Sequence, residues 1–294
     1  MTHCVQMIPL FSGSSGNAVF FQFGETRFLV DAGVSCKRIT EALHRIGERP
    51  ESLNGIFITH DHSDHVQGLD VFVRKYEIPI YATADTWRGI HAFSKKPHDR
   101  ALDHEIFPGE SFFCKDVEVL SFSTPHDAVG SVGYRFQAFS HSFSIATDMG
   151  FFSDEIMESI KGSSAVMLEA NYDHEMLWNG PYPWPLKKRV DGKNGHLCNV
   201  DCAEAISRLI ESGTRTFMLA HLSQENNAPR IARREVVEYL KNQNFSDGVD
   251  YDLFVAKRSD ISEAVVLLGE PLSKSGVQMD LLSLLEPSGG TVPI

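Results

Sequence analysis

The first thirty residues alternate short apolar runs with polar turns and read as strands. VFFQF (19–23) and TRFLVDAG (26–33) are β-rich runs separated by Gly24-Glu25, which predicts a hairpin. From Ser35, the residues Ile39, Leu43 and Ile46 recur at helical spacing and stop before Gly47. GIFIT (55–59) is a continuous apolar run and predicts a buried strand. The alternation continues with a helix over 68–76, a strand over 78–81 and a helix from Asp85. Strands are predicted over 117–123, 133–139 and 142–147.

The second half repeats the mixture. A helix over 154–160 leads to a strand over 165–168, and a helix over 200–210 leads to a strand over 216–219. The Pro-rich stretch GPYPWP (180–185) reads as a loop before Lys187-Lys188-Arg189. A helix over 230–242 precedes strands over 251–255 and 264–267. No linker divides residues 1–268, so one α/β domain is expected: two sheets covered by helices in an αββα sandwich. From Gly269 the chain is punctuated by Gly, Ser and Pro and reads as a C-terminal tail, 269–294.

Composition narrows the function. The formal net charge of −12 argues against a protein that coats nucleic acid through general positive charge. A metal site would reverse that sign locally. No apolar run reaches the roughly 20 residues of a membrane span. The N-terminus lacks a basic region ahead of its apolar piece, so no signal peptide is expected. Five scattered cysteines do not form a disulfide framework and fit a reducing, cytoplasmic setting. Cys198 and Cys202, four apart on a predicted helix, read as packing residues rather than a metal pair.

The densest chemistry is Thr59-His60-Asp61-His62-Ser63-Asp64-His65, at the C-terminal end of a predicted buried strand. Imidazoles two apart on an extended segment point to one side. Three imidazoles with a carboxylate suit Zn, Mn or Fe better than Ca or Mg. Further ligand-type residues follow other apolar strands: His126, Asp148 and His221. A carboxylate such as Asp148 can bridge two cations, which one imidazole cannot do.

HDHSDH matches the HxHxDH signature of the metallo-β-lactamase fold, and Asp31 in LVDAG, His126, Asp148 and His221 match its other motifs in order. The resemblance spans residues 5–268 and implies a four-layer αββα metallo-β-lactamase sandwich. It implies that His60, His62 and His126 hold one divalent metal, that Asp64, His65 and His221 hold a second, and that Asp148 bridges. Asp31 would orient ligands from behind. FSGSSGNAVFF (11–21), LEANYD (168–173), GPYPWPLKKRV (180–190), GHLCN (195–199) and AHLSQENN (220–227) resemble the YycJ/WalJ (VicX) subfamily. That narrower resemblance implies a cytoplasmic 5′→3′ exonuclease acting on DNA and linked to repair. GHLCN departs from an expected GHLSN at Cys198.

The expected reaction is hydrolysis by metal-activated water, with Asp64, Asp148 and His196 as catalytic residues. By resemblance to phosphodiesterase relatives, His196 would donate a proton or contact phosphate. Gly13-Ser14-Ser15-Gly16-Asn17 is a tight loop whose backbone could approach an anion, with Ser14, Ser15 and Asn17 as substrate contacts; a plain hairpin turn is the alternative. Lys187, Lys188 and Arg189 are candidate DNA-backbone contacts, and Trp178, Tyr182 and Trp184 could stack on a base. Gln278-Met279-Asp280-Leu281-Leu282 resembles the peptide by which bacterial DNA-processing proteins dock on the replication sliding clamp. Competing readings are a small-molecule phosphodiesterase or thioester hydrolase, and a non-catalytic regulator linked to cell-wall signalling.

Overall fold

The computed structural model describes residues 3–94 and 96–269. Its first strands are β1 (His3–Phe11), β2 (Ala18–Phe23), β3 (Thr26–Val30), β4 (Gly55–Phe57), β5 (Ile80–Thr83) and β6 (Asp103–Ile106). Next come β7 (Ser111–Cys114), β8 (Val117–Ser123), β9 (Val132–Ala138) and β10 (His141–Ala146). The last four are β11 (Ala165–Glu169), β12 (Thr216–Ala220), β13 (Asp252–Val255) and β14 (Val265–Gly269). Among the described residues they form two seven-stranded sheets, ordered β14-β1-β2-β3-β4-β5-β6 and β13-β12-β11-β10-β9-β8-β7. β14 returns to pair antiparallel with β1, Val5 opposite Leu267. The tail from residue 270, with the clamp-like peptide Gln278, Asp280, Leu281 and Leu282, lies outside the described residues.

Helices cover both outer faces. In the first half they are α1 (Cys36–Arg45), α2 (Ser63–Val66), α3 (Leu69–Tyr76) and α4 (Ala84–Phe93). In the second they are α5 (Asp154–Ile160), α6 (His174–Asn179), α7 (Trp184–Val190), α8 (Asn199–Glu211) and α9 (Pro229–Asn242). The αββα sandwich follows from strand alternation with both faces buried. On β2, Val19, Phe21 and Phe23 face the opposite sheet, while Ala18 and Phe20 face α1, α3 and α4. On β11, Ala165 and Met167 point inward, while Val166 and Leu168 meet α5, α8 and α9. That is why these strands read as unbroken apolar runs. Each fully buried Phe contributes ~1.5–3 kcal/mol.

Two differences from the sequence reading have simple causes. Edge strand β6 (Asp103–Ile106) is half polar and carries no apolar run to announce it. The Pro-rich stretch is no simple loop, because Pro185 stands in the first turn of α7, where a missing N–H costs nothing. α6, α7 and the turn between them build a small core of their own from Leu177, Tyr182, Leu186 and Val190, with Tyr172 and Cys198 beneath.

Candidate metal centre

The C-terminal ends of strands from both sheets converge on one spot. β3 leads to Asp31, β4 to Thr59, His60 and His62, and α2 carries Asp64 and His65. From the second sheet, β8 leads to His126, β10 to Asp148 and β12 to His221, while β11 ends on Glu169. Ligand atoms of His60, His62 and His126 lie within 4.8 Å of one another, and so do those of Asp64, His65 and His221. Asp148 stands between the groups: Oδ2 is 3.5 Å from His65 Nε2, and Oδ1 is 3.9 Å from His126 Nε2 and 3.2 Å from His221 Nδ1.

The backbone is bent to achieve this. Asp31, Asp148 and His221 adopt left-handed conformations, with φ of 63°, 59° and 53°. Each costs of order 1–3 kcal/mol for a non-glycine residue, a cost that recurs at functional sites. Gly33 is required by close approach, since a Cβ there would lie 1.6 Å from the Asp64 carbonyl oxygen. Beside it, Asn17 N–H donates to that same carbonyl at 2.8 Å.

A second ring of hydrogen bonds orients the imidazoles. Asp31 accepts from Thr59 N–H at 2.9 Å and from His65 Nδ1–H at 2.7 Å. With the Thr59 hydroxyl donating to Asp31, its oxygen accepts from His60 Nδ1–H at 3.0 Å. The Gly195 carbonyl accepts from His126 Nδ1–H at 3.1 Å. Glu169 accepts from His196 Nδ1–H at 2.7 Å and His221 Nδ1–H at 3.0 Å. In each ligand histidine so held, Nδ1 is occupied and Nε2 faces the cluster, the tautomer a cation needs. His62 instead presents Nδ1, 3.4 Å from His126 Nε2.

The donor set fits divalent metal. Among the described residues, His60 Nε2, His221 Nε2 and Asp148 Oδ2 are buried without a hydrogen-bond partner. Unpartnered groups of this kind are costly unless a cation completes them. Electrostatics agrees. Burial and the neighbouring His65, His126 and His62 push His60 well below its ordinary pKa, and burial lowers His126, so both rings are neutral. Burial opposes protonation of His221, but Asp148, Asp64 and Glu169 raise it to about 10. Burial likewise opposes His65, yet Asp31, Asp148 and Asp64 hold it well above its ordinary value. Burial alone would raise Asp64 and Glu169; the facing imidazoles reverse this and hold both far below the carboxylate range. Protons thus balance buried carboxylates where cations would otherwise sit.

Two contributors escaped the sequence reading. Glu169 is fully buried and also accepts from the N–H groups of Met149 and Leu197. Its signal was the one used for the others, an acidic residue closing an apolar strand, but the predicted strand stopped at Leu168. Thr59 lay inside the recognised motif as a bystander. The other sequence candidates scatter. Asn17 turns inward, its amide 3.0 Å from His65 Nε2 and its Oδ1 accepting from Gly13 N–H at 2.9 Å. Ser14 and Ser15 are exposed. Lys187 is buried, with Nζ donating to the Trp178 carbonyl at 2.7 Å. Lys188 Nζ lies 5.3 Å from the Trp184 ring centre, and Arg189 Nε donates to Asp127. Cys202 is core, and Cys198 caps α8, its Sγ accepting from Asp201 N–H at 3.4 Å.

Comparison with known proteins agrees with this geometry. Residues 26–222 match the β-lactamase superfamily domain. The chain is 38% identical over 246 residues to exodeoxyribonuclease WalJ of Streptococcus pneumoniae serotype 2 (strain D39 / NCTC 7466), covering 83% of this chain and 91% of that protein. It is 39% identical over 246 residues to exodeoxyribonuclease YycJ of Bacillus anthracis, covering 83% and 92%. Among solved structures, the metallo-β-lactamase fold protein YhfI from Bacillus subtilis superposes with a TM-score of 0.68 at 16% identity, over 90% of this chain and 99% of that one. A diphosphatase of the PhnP family does so at 0.63 and 18% identity, over 92% and 99%. Motif order, strand-end geometry and these relatives place the chain in the metallo-β-lactamase superfamily, as a member of its YycJ/WalJ group.

Proposed function

We propose that this protein is a dinuclear-metal exodeoxyribonuclease that removes nucleotides from DNA 5′ ends. The observation that carries the reading is the set of buried, unpartnered ligand atoms on His60, His221 and Asp148. The relatives named exodeoxyribonuclease direct it toward DNA. His60, His62 and His126 would hold one cation, Asp64, His65 and His221 the other, with Asp148 between them. Zn, Mn and Fe all suit imidazole–carboxylate sets. Such cations supply hydroxide from water near neutral pH and offset the negative charge of a phosphodiester.

The protein's own part centres on His196. Glu169 takes its Nδ1–H, which leaves Nε2 for the cavity that His196 lines. Burial opposes a proton there, but the Glu169 charge raises the ring above its ordinary value. A protonated Nε2 is suited to give its proton to the departing sugar oxygen. The acidic surface predicts weak, salt-sensitive DNA affinity, with most attraction arising at the metal centre. Cytoplasmic action in DNA repair belongs to the same proposal; all five cysteines are free, as a reducing compartment requires. No described helix is long and apolar enough to cross a membrane. Docking of Gln278–Leu282 on a sliding clamp also belongs to it, and unchanged clamp binding after deletion of 276–294 refutes that part.

The test is Mn-supplemented degradation of a duplex labelled at one 5′ end, with Asp148→Ala alongside. Release of 5′ nucleotides by the wild type alone supports the proposal. Cleavage of bis-p-nitrophenyl phosphate without any DNA degradation replaces it with a small-molecule phosphodiesterase. Silence on both substrates points to a thioester hydrolase or a regulator.

A further inference from the structure

His221 is gripped by its backbone as well as by its ring. It follows β12 with φ of 53°, a conformation that persists in a non-glycine residue only where the surroundings over-determine it. The residue is buried, so its backbone N–H and C=O need partners inside the protein. The sheet supplies neither, because β12 ends one residue earlier, at Ala220. Two side chains do so instead. The His221 N–H donates to Ser12 Oγ at 3.0 Å, and the His221 carbonyl accepts from Asn171 Nδ2 at 2.8 Å. Ser12 and Asn171 are themselves buried.

The two grips come from different sheets. Asn171 lies two residues past Glu169, at the end of β11 in the second sheet, so one strand end holds both the ring and the carbonyl of His221. Ser12 opens the loop between β1 and β2 of the first sheet. That loop is pinned along its length. Ser12 N–H donates to the Arg258 carbonyl at 3.2 Å, Gly16 N–H to the Gly13 carbonyl at 2.9 Å, and Gly13 N–H to Asn17 Oδ1 at 2.9 Å. Its far end meets the other members of the same ligand set: Asn17 N–H donates to the Asp64 carbonyl at 2.8 Å, and the Asn17 amide lies 3.0 Å from His65 Nε2. Among the described residues, no hydrogen bond joins Asn171 or residues 12–17 to His60, His62 or His126; those rings bond to Thr59, to the Gly195 carbonyl and to each other.

We propose that Ser12 and Asn171 are positioning residues for one cation alone, the one that Asp64, His65 and His221 would hold. The proposal rests on the dinuclear reading above. Neither side chain is a ligand. They fix the backbone of His221 and thereby the direction of its Nε2. Loss of either leaves a buried backbone group of His221 unpartnered, and the left-handed residue is then free to relax away from the cluster. His60, His62 and His126 stand on other loops and keep their own partners.

The experiment is a Co(II) titration of the metal-free protein, followed by visible absorption and by competition with a chromophoric chelator. His221→Ala and His126→Ala mark which binding step belongs to which ligand set. Ser12→Ala and Asn171→Ala should each weaken the step marked by His221→Ala by about 10- to 100-fold. The step marked by His126→Ala should stay within about 3-fold of wild type. Ser163→Ala is the control: that buried hydroxyl donates to the Ile160 carbonyl at 2.7 Å, ahead of β11 and at the end of the strand away from the metal centre. It should leave both steps unchanged. Because Ser12 and Asn171 act from different sheets, failure of one variant to fold leaves the other to decide. Equal weakening of both steps, or no change in either, overturns the proposal. A wild type that binds fewer than two Co(II) ions removes the dinuclear reading itself, and the positioning role with it.

Discussion

Glu169→Gln tests how the protein holds its ligand histidines. The wild-type carboxylate accepts four hydrogen bonds, two from imidazoles at 2.7 and 3.0 Å and two from the N–H groups of Met149 and Leu197 at 3.0 and 3.3 Å. Glutamine is nearly the same size but has one acceptor end and one donor end. If its oxygen faces the imidazoles, its NH2 meets two backbone N–H groups. If it flips, the NH2 meets His196 and His221. In either pose two buried donors lose their acceptor, at ~1–3 kcal/mol each. A loss of about 3 kcal/mol should lower Tm by roughly 6–12 °C in a domain of this size. Metal affinity should fall by about 10- to 100-fold, because His221 loses the charge that orients it. Differential scanning fluorimetry of the metal-free protein measures the first effect, and competition with a chromophoric chelator measures the second. An affinity within about 2-fold of wild type, with Tm unchanged, would refute the assignment of Glu169 as the orienting group.

Other outcomes follow from the same geometry. Gly33→Ala places a methyl 1.6 Å from the Asp64 carbonyl oxygen, so backbone must move; a loss of at least ~3 kcal/mol and of metal binding is expected in melting and metal-content assays. Cys198→Ser substitutes a stronger cap at the start of α8 and should stabilise the fold by about 0.5 kcal/mol, read as a raised Tm. Burial pushes the Cys198 thiol up to about 12, so the wild-type thiol should resist iodoacetamide at neutral pH, as labelling and mass spectrometry will show. His65 is raised well above its ordinary value and His221 to about 10, so the metal-free protein carries both protons at neutral pH and must shed them on loading. The sign is therefore proton release and affinity that rises with pH, by about two decades per unit when both leave. Calorimetry in buffers of different ionisation enthalpy measures this, and an absence of proton release contradicts it.

Much was legible in the chain alone, because local pattern determines local structure. Unbroken apolar runs such as GIFIT marked strands buried on both faces. A ligand-type residue just past such a run marked a strand end where chemistry gathers, as with His126, Asp148 and His221. Glu169 belonged to the same pattern and was missed by one residue, since periodicity fixes a strand's body better than its last position. What each side chain touches was not legible, because those contacts join residues far apart in sequence. Asn17 meets Asp64 and His65 only because the loop between β1 and β2 lies against α2. Lys187, Lys188 and Arg189 are equivalent charges on paper, yet helical geometry sends one into the protein, one onto Trp184 and one to Asp127. The left-handed backbone at Asp31, Asp148 and His221 is likewise a tertiary decision: Asp and His tolerate that region better than most side chains, but it still costs energy, and the packing of two sheets over-determines it. Sequence determined which groups could bind metal and in what order they occur. Only the folded chain decided which nitrogen of each imidazole faces the cluster, because that depends on the acceptor waiting on its other side.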